Sequence, residues 1–69
     1  MAEIKYEIVK HICVLSEDNK GWKKELNLVS WNDGTPKYDI RTWNEDYSRM
    51  GKGITLSEDE IHKLIKAQI

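Results

Sequence analysis

Residues whose types and spacing could do chemistry concentrate between positions 22 and 52. Lys37, Asp39, Arg41 and Trp43 alternate with Tyr38, Ile40 and Thr42. Side chains of a β-strand point alternately to its two sides, so each set shares a face. The face of Tyr38, Ile40 and Thr42 is largely apolar and suits a core. The other places two cations and an indole at strand spacing, a combination that suits phosphates and unstacked bases. Lys52 stands between Gly51 and Gly53. Flanking glycines would let another chain approach the backbone closely, so a cation there would reach a phosphate with little hindrance.

Trp22, Trp31, Trp43, Tyr38 and Tyr47 all fall in this stretch, and the chain has no Phe. Stacking a base on an aromatic ring contributes about 1–3 kcal/mol and tolerates any sequence. Against that stands core packing, where aromatics supply large burial. Tyr38, beside Ile40, reads as core. Trp43, beside Lys37 and Arg41, reads as a stacking surface. Trp22 and Trp31 stay open between the two readings. The candidate contacts are Arg41, Lys37, Lys52 and Lys24 for phosphates, with Trp43, Trp31 and Trp22 for bases. Asp39 lies on the same face and is expected to pair with Arg41 or a neighbouring cation, as an orienting group.

Other chemistry finds little support. There is no Gly-x-Ser-x-Gly, no His/Glu helix motif and no phosphate loop. His11 and Cys13 stand two apart in a strand-like run and would share a face. A metal there would need further ligands from a second chain. His62 and the Glu45–Asp46 pair read as solvated. The expectation is a protein that is not an enzyme, with no cofactor and no metal.

The elements that must position the mid-chain residues follow from pattern. Residues 3–15 are rich in β-branched types and read as a first strand. Glu17–Gly21 is a turn cluster, and Trp22–Trp31 reads as a second strand whose buried face the alternation does not settle. Asn32–Pro36 contains Asp-Gly between two strand-like runs, a hairpin mark. Lys37–Trp43 is the third strand, 44–51 a polar loop and Gly53–Leu56 a short fourth strand. Ser57-x-x-Glu60 is a capping box, followed by Ile61, Leu64 and Ile65 at helical spacing over roughly twelve residues. The order β-β-β-β-α gives an α+β domain: an antiparallel meander with one C-terminal helix.

Sixty-nine residues make one small domain, 1–69, with a thin core. A domain of about 60 residues buries only ~60% of its unfolded surface, so oligomerisation is the expected source of extra burial. Net charge is −1, yet residues 20–52 carry seven cations against five acids. Cys13 is alone, which fits a reducing compartment. No stretch approaches the ~18 apolar residues of a membrane span, and no leader pattern is seen. A soluble, cytoplasmic protein with no membrane partner is expected.

Tyr38–Asp39–Ile40–Arg41–Thr42–Trp43, a polar loop, then Gly51–Lys52–Gly53–Ile54–Thr55–Leu56–Ser57 and an amphipathic helix together resemble the positive-cofactor-four family of transcriptional coactivators. The likeness is closer to its small bacterial YdbC-type members and runs over nearly the whole chain, including Glu7–Ile8–Val9, Gly21–Trp22 and Lys24–Asn27. The resemblance implies a curved four-stranded sheet and a homodimer built through the helices. It also implies single-stranded DNA bound across the concave faces with little sequence preference, in a nucleoid-associated role. It matches the family's arginine to Arg41, its following aromatic to Trp43 and its lysine before Gly-Ile to Lys52. Trp31 and Lys37 are the nearest equivalents of its hairpin aromatic and lysine. Single-stranded RNA would suit the same contacts. The alternative from a different class is a protein-interaction module using this face.

Overall fold

The computed structural model describes residues 4–68. The chain forms β1 (Tyr6–Glu17), β2 (Lys23–Trp31), β3 (Lys37–Trp43), β4 (Met50–Leu56) and α1 (Glu58–Lys66). The strands make one antiparallel sheet in the order β1-β2-β3-β4. This is the expected meander, with the helix nine residues long instead of twelve.

Local chemistry explains the joints. Gly34 N–H donates to Trp31 O at 2.9 Å, and Asn32 and Asp33 between them take φ of 52° and 62°. Both central residues of this tight hairpin turn are left-handed, which Asn and Asp tolerate. The turn is therefore centred on Asn-Asp, one position before the Asp-Gly pair. At the first joint, Asp18 Oδ1 accepts from the backbone N–H of Lys20 and Trp22. Ser57 accepts from Glu60 N–H while the Glu60 carboxylate accepts from Ser57 N–H, so both halves of the capping box are present.

The register places Glu25 opposite Arg41, Asn27 opposite Asp39 and Val29 opposite Lys37. Asp39 in turn pairs with Thr55, and Arg41 with Gly53. These residues share one face of the sheet. On β1, His11 pairs with Asn27 and joins the same face, with three register shifts along the strand. Such irregularities bend a strand and increase its twist.

The bend is large. Tyr6 pairs with Trp31 at one end of β2, and Trp43 pairs with Lys23 at the other. A straight β2 would separate those ends by roughly 26 Å. Yet the Tyr6 and Trp43 ring centroids are 5.3 Å apart. The sheet curls until side chains from its opposite corners touch, so this face is the concave one.

The concave face holds the core. Val29, Trp43, Glu25, Asn27 and Asp39 are all buried there, each at 1% exposure or less. This corrects the expectation that the apolar face of Tyr38, Ile40 and Thr42 is the buried one; those three are only half-buried. α1 packs against β3 and β4, and Ile61 is its buried residue. Leu64 and Ile65 of the same stripe stay exposed, as does Ile54 of β4.

Candidate nucleic-acid interface

The floor of the concave face is polar, and its groups satisfy one another. Asp39 accepts from Arg41 Nε at 2.6 Å and Nη2 at 2.9 Å, and from the Thr55 hydroxyl at 3.0 Å. The pairing of Asp39 with Arg41 expected from their shared face is present and bidentate. Glu25 accepts from the Tyr47 hydroxyl, which lies 2.8 and 3.0 Å from its two oxygens, and from Asn27 Nδ2 at 3.2 Å. His11 Nδ1 lies 2.8 Å from Asn27 Oδ1 and 3.1 Å from Glu25 Oε1. Both neighbours are acceptors, so Nδ1 carries the proton. Burial pushes the Tyr47 phenol above its usual range, and the Glu25 carboxylate adds to the shift.

Over this floor lie the rings. Trp43 sits between Tyr6, at 5.3 Å, and Tyr47, at 5.7 Å, while Tyr6 reaches Trp31 at 6.0 Å. The Tyr6 hydroxyl donates to Tyr47 O at 2.5 Å and ties the 44–49 loop to the start of β1. Arg41 lies over the Trp31 ring, its guanidinium carbon 4.7 Å from the centroid, and Arg41 Nη1 donates to Met50 Sδ at 3.4 Å. A cation over an indole face is attracted by the ring quadrupole. Trp31, Arg41, Met50, Thr55, Asn32 and Ile4 line an open cavity of about 320 Å³.

The sequence-predicted residues separate into groups. Arg41 and Trp31 meet at this cavity. Lys37 is exposed on the same face, opposite Val29. Trp43 is correctly placed on that face but fully buried, so its ring offers no stacking surface in this conformation. Its neighbours Tyr6 and Tyr47 cover it, and strand alternation alone gives no sign of them. Lys24 pairs with Thr42 and so belongs to the convex face, where Trp22 also lies near Gly51 and Thr42. The curl thus parts Lys24 and Trp22 from the Arg41 group. Lys23, half-buried opposite Trp43, is the lysine of that pair on the concave face.

Lys52 is exposed within the register irregularity between β3 and β4. Its flanking glycines have a different cause from the one expected. A Cβ on Gly53 would meet the Arg41 side chain and, at 2.5 Å, the Ile40 carbonyl; one on Gly51 would meet the Thr42 hydroxyl. The glycines let β4 lie close against β3. His11 and Cys13 also part company, because a register shift between them turns Cys13 opposite Leu26 and His11 opposite Asn27. No cluster of three or more metal-binding side chains occurs among the described residues, and no helix there is long and apolar enough to cross a membrane.

Tyr47 and Glu25 are the residues that sequence reasoning missed. Glu25 stands between Lys24 and Leu26 in a strand whose face pattern is mixed, so nothing local marks it as buried. Tyr47 lies in a polar loop with φ of 61°, and nothing local announces it.

Residues 19–67 match the family described as Transcriptional Coactivator p15 (PC4). The matched span includes all of β2, β3, β4 and α1. An uncharacterized protein of Treponema pallidum (strain Nichols) is 48% identical over 56 residues, 81% of this chain and 66% of the relative. The chain thus spans just under two thirds of that relative's length.

Proposed function

The chain belongs to the transcriptional coactivator p15 (PC4) family, and on that premise we propose that it binds single-stranded DNA as a YdbC-type homodimer. The observation that carries the reading is the Arg41–Trp31 stack at the mouth of the concave cavity. It holds an aromatic surface and hydrogen-bond donors where an unstacked nucleotide can enter. Lys37 is exposed and Lys23 half-buried on the same face, and Lys52 is exposed on β4. They supply the phosphate contacts, and no particular sequence is required for binding. A strongly curled sheet suits a flexible single strand better than a stiff duplex. The nucleoid in the cytoplasm is the corresponding site of action, and the protein performs no catalysis.

Area supports the dimer. The accessible surface is 5565 Å², whereas a compact monomer of this length exposes about 4,500 Å². The excess is of the size that a stable interface buries on each partner, about 800 Å². Leu64, Ile65 and Ile54 are the apolar residues that a helix-mediated contact would cover. Two linked sites would raise the effective concentration of a longer strand at the second site.

Titration with oligo-dT, followed by tryptophan emission, tests the proposal. The emission should change, because Trp31 lines the site, and affinity should fall with salt at a log–log slope of about −0.7 per phosphate contact. Competition with RNA and with duplex at fixed salt ranks the three. An unchanged emission and no salt-sensitive complex would sink the reading. The long open edge of β1, with Val9 and Leu15 exposed, favours a second reading as a protein-interaction module. Salt-insensitive capture of a protein partner that survives Arg41→Ala plus Lys52→Ala would support it.

A further inference from the structure

Arg41 is held in a way that decides what it can recognise. A guanidinium has five N–H donors in a planar fork. Asp39 takes one on Nε and one on Nη2, and Met50 Sδ takes one on Nη1. Two donors remain without a partner among the described residues, one on each terminal nitrogen. Asp39 is fully buried, and the side chain of Arg41 is only 16% exposed. The carboxylate therefore balances the guanidinium charge inside the site. The cavity walls beside it are the Trp31 ring, Met50 and Ile4, with Asn32 and Thr55 as neutral polar groups, and none of them carries a charge.

A phosphate gains little from such an arginine. It would leave water for a lining with no second cation, and the charge it would meet is already neutralised by Asp39. A neutral edge with two adjacent acceptors fits better: it occupies both remaining donors and brings no charge. Guanine offers that edge in O6 and N7, and arginine paired to those two atoms is the commonest specific base contact. Adenine places an amino group where guanine has O6, which would set donor against donor.

We infer that the Arg41–Trp31 cavity is a guanine-preferring base pocket, and that Arg41 reads a base edge while the lysines hold phosphates. The inference rests on the reading of the chain as a single-strand binder and adds a bias at one nucleotide position to it. The fork needs Asp39 to orient it and Trp31 to support it, and both contacts are in place.

The test compares three nine-nucleotide DNA strands by fluorescence anisotropy with the full chain at 0.1 M salt: three repeats of TTG, three of TTA, and three of TT followed by 7-deazaguanine. The two natural purines stack alike, so their difference isolates the hydrogen-bonding edge. The TTG strand should bind at least about fivefold tighter than TTA, the low end for a two-bond base contact. The 7-deazaguanine strand loses the N7 acceptor and should fall to within about twofold of TTA. Arg41→Lys keeps the charge but loses the fork, and should erase the TTG preference while leaving the salt slope unchanged. Equal binding of TTG and TTA by the unaltered protein would overturn the inference and leave single-strand binding standing. Failure of all three strands to bind would overturn both.

Discussion

Replacing Asp39 by Asn tests whether the buried pair holds the concave face together. The carboxylate is fully buried and accepts three hydrogen bonds, two from Arg41 and one from Thr55. Asparagine keeps one acceptor oxygen and sets its amide N–H₂ against an arginine N–H. The change leaves a guanidinium without its counter-charge. Breaking a buried pair from one side costs about 3–5 kcal/mol. Arg41 keeps 16% of its side chain in water, which recovers part of that, so the expected loss is about 2–4 kcal/mol. A single core of this size supplies only about 3–5 kcal/mol. The melting temperature should therefore fall by at least ~8 °C, taking about 4–8 °C per kcal/mol for a domain of this length. Urea and thermal melts followed by tryptophan emission, at one protein concentration because the stability of any oligomer depends on it, provide the measurement. The double change Asp39→Leu with Arg41→Met removes both charges and should recover to within about 1 kcal/mol of the unaltered protein. A loss below about 1 kcal/mol for Asp39→Asn, or a double variant no better than the single, would refute the pairing as the organising contact.

Three further outcomes follow from other parts of the fold. Tyr47→Phe removes the hydroxyl that donates to the buried Glu25 carboxylate and should cost about 1–3 kcal/mol in a urea melt. In the unaltered protein, one phenol should titrate above the usual value of about 10 by ultraviolet absorbance. Because the folded value of Tyr47 is raised, its stabilising contribution is intact below about pH 10 and lost as pH climbs through the folded value. Ser57→Ala removes the helix cap and should cost about 1 kcal/mol. The hydrogen bonds from Ser57 hold the Glu60 carboxyl below its ordinary value, so the contribution of the box is present above about pH 4.5 and fades as pH falls through the lowered value. The Ser57 backbone N–H is the main donor to that carboxyl, so a Glu60→Gln melt that keeps the same acid dependence would contradict the link. Leu64→Glu with Ile65→Glu puts charge on the exposed helix stripe and should halve the mass measured by light scattering; an unchanged mass would place the interface elsewhere.

The order and type of every element were legible in the residues, because each rests on local chemistry. β-Branched runs made the strands, Asn32–Gly34 the hairpin, and Ser57 with Glu60 the helix start. The buried side was not legible. Hydropathy favours Tyr38, Ile40 and Thr42 over Asp39, Arg41 and Trp43, yet the second set is the deeper one. Hydropathy ranks a residue by type, whereas the cost of burying a polar group depends on its partners. Thr55 and His11 reach Asp39 and Glu25 through the pairing of neighbouring strands, and Tyr47 reaches Glu25 from a loop 22 residues away, none of which the hydropathy of β2 or β3 records. The curl of the sheet sets Arg41 and Trp43 apart. Both were correctly put on one face, but the curvature that makes the face concave covers Trp43 with Tyr6 and Tyr47 and leaves Arg41 at the rim.

Core and candidate site are consequently one layer. Trp43 lies within it, Asp39 fixes the guanidinium from below, and Trp31 and Arg41 face the cavity. A substitution in the floor cannot be neutral for the rim, since the carboxylate that stabilises the fold also orients the donors of the site. Stability and base preference should therefore change together across Asp39 variants. Exposed Lys37 and Lys52 make no hydrogen bond or ion pair that ties them to that floor among the described residues. Their replacement by alanine should reduce the salt slope by about 0.7 each with the melting temperature unchanged. A lysine variant that lowers the melting temperature as Asp39→Asn does would show that the phosphate contacts and the core are not separable.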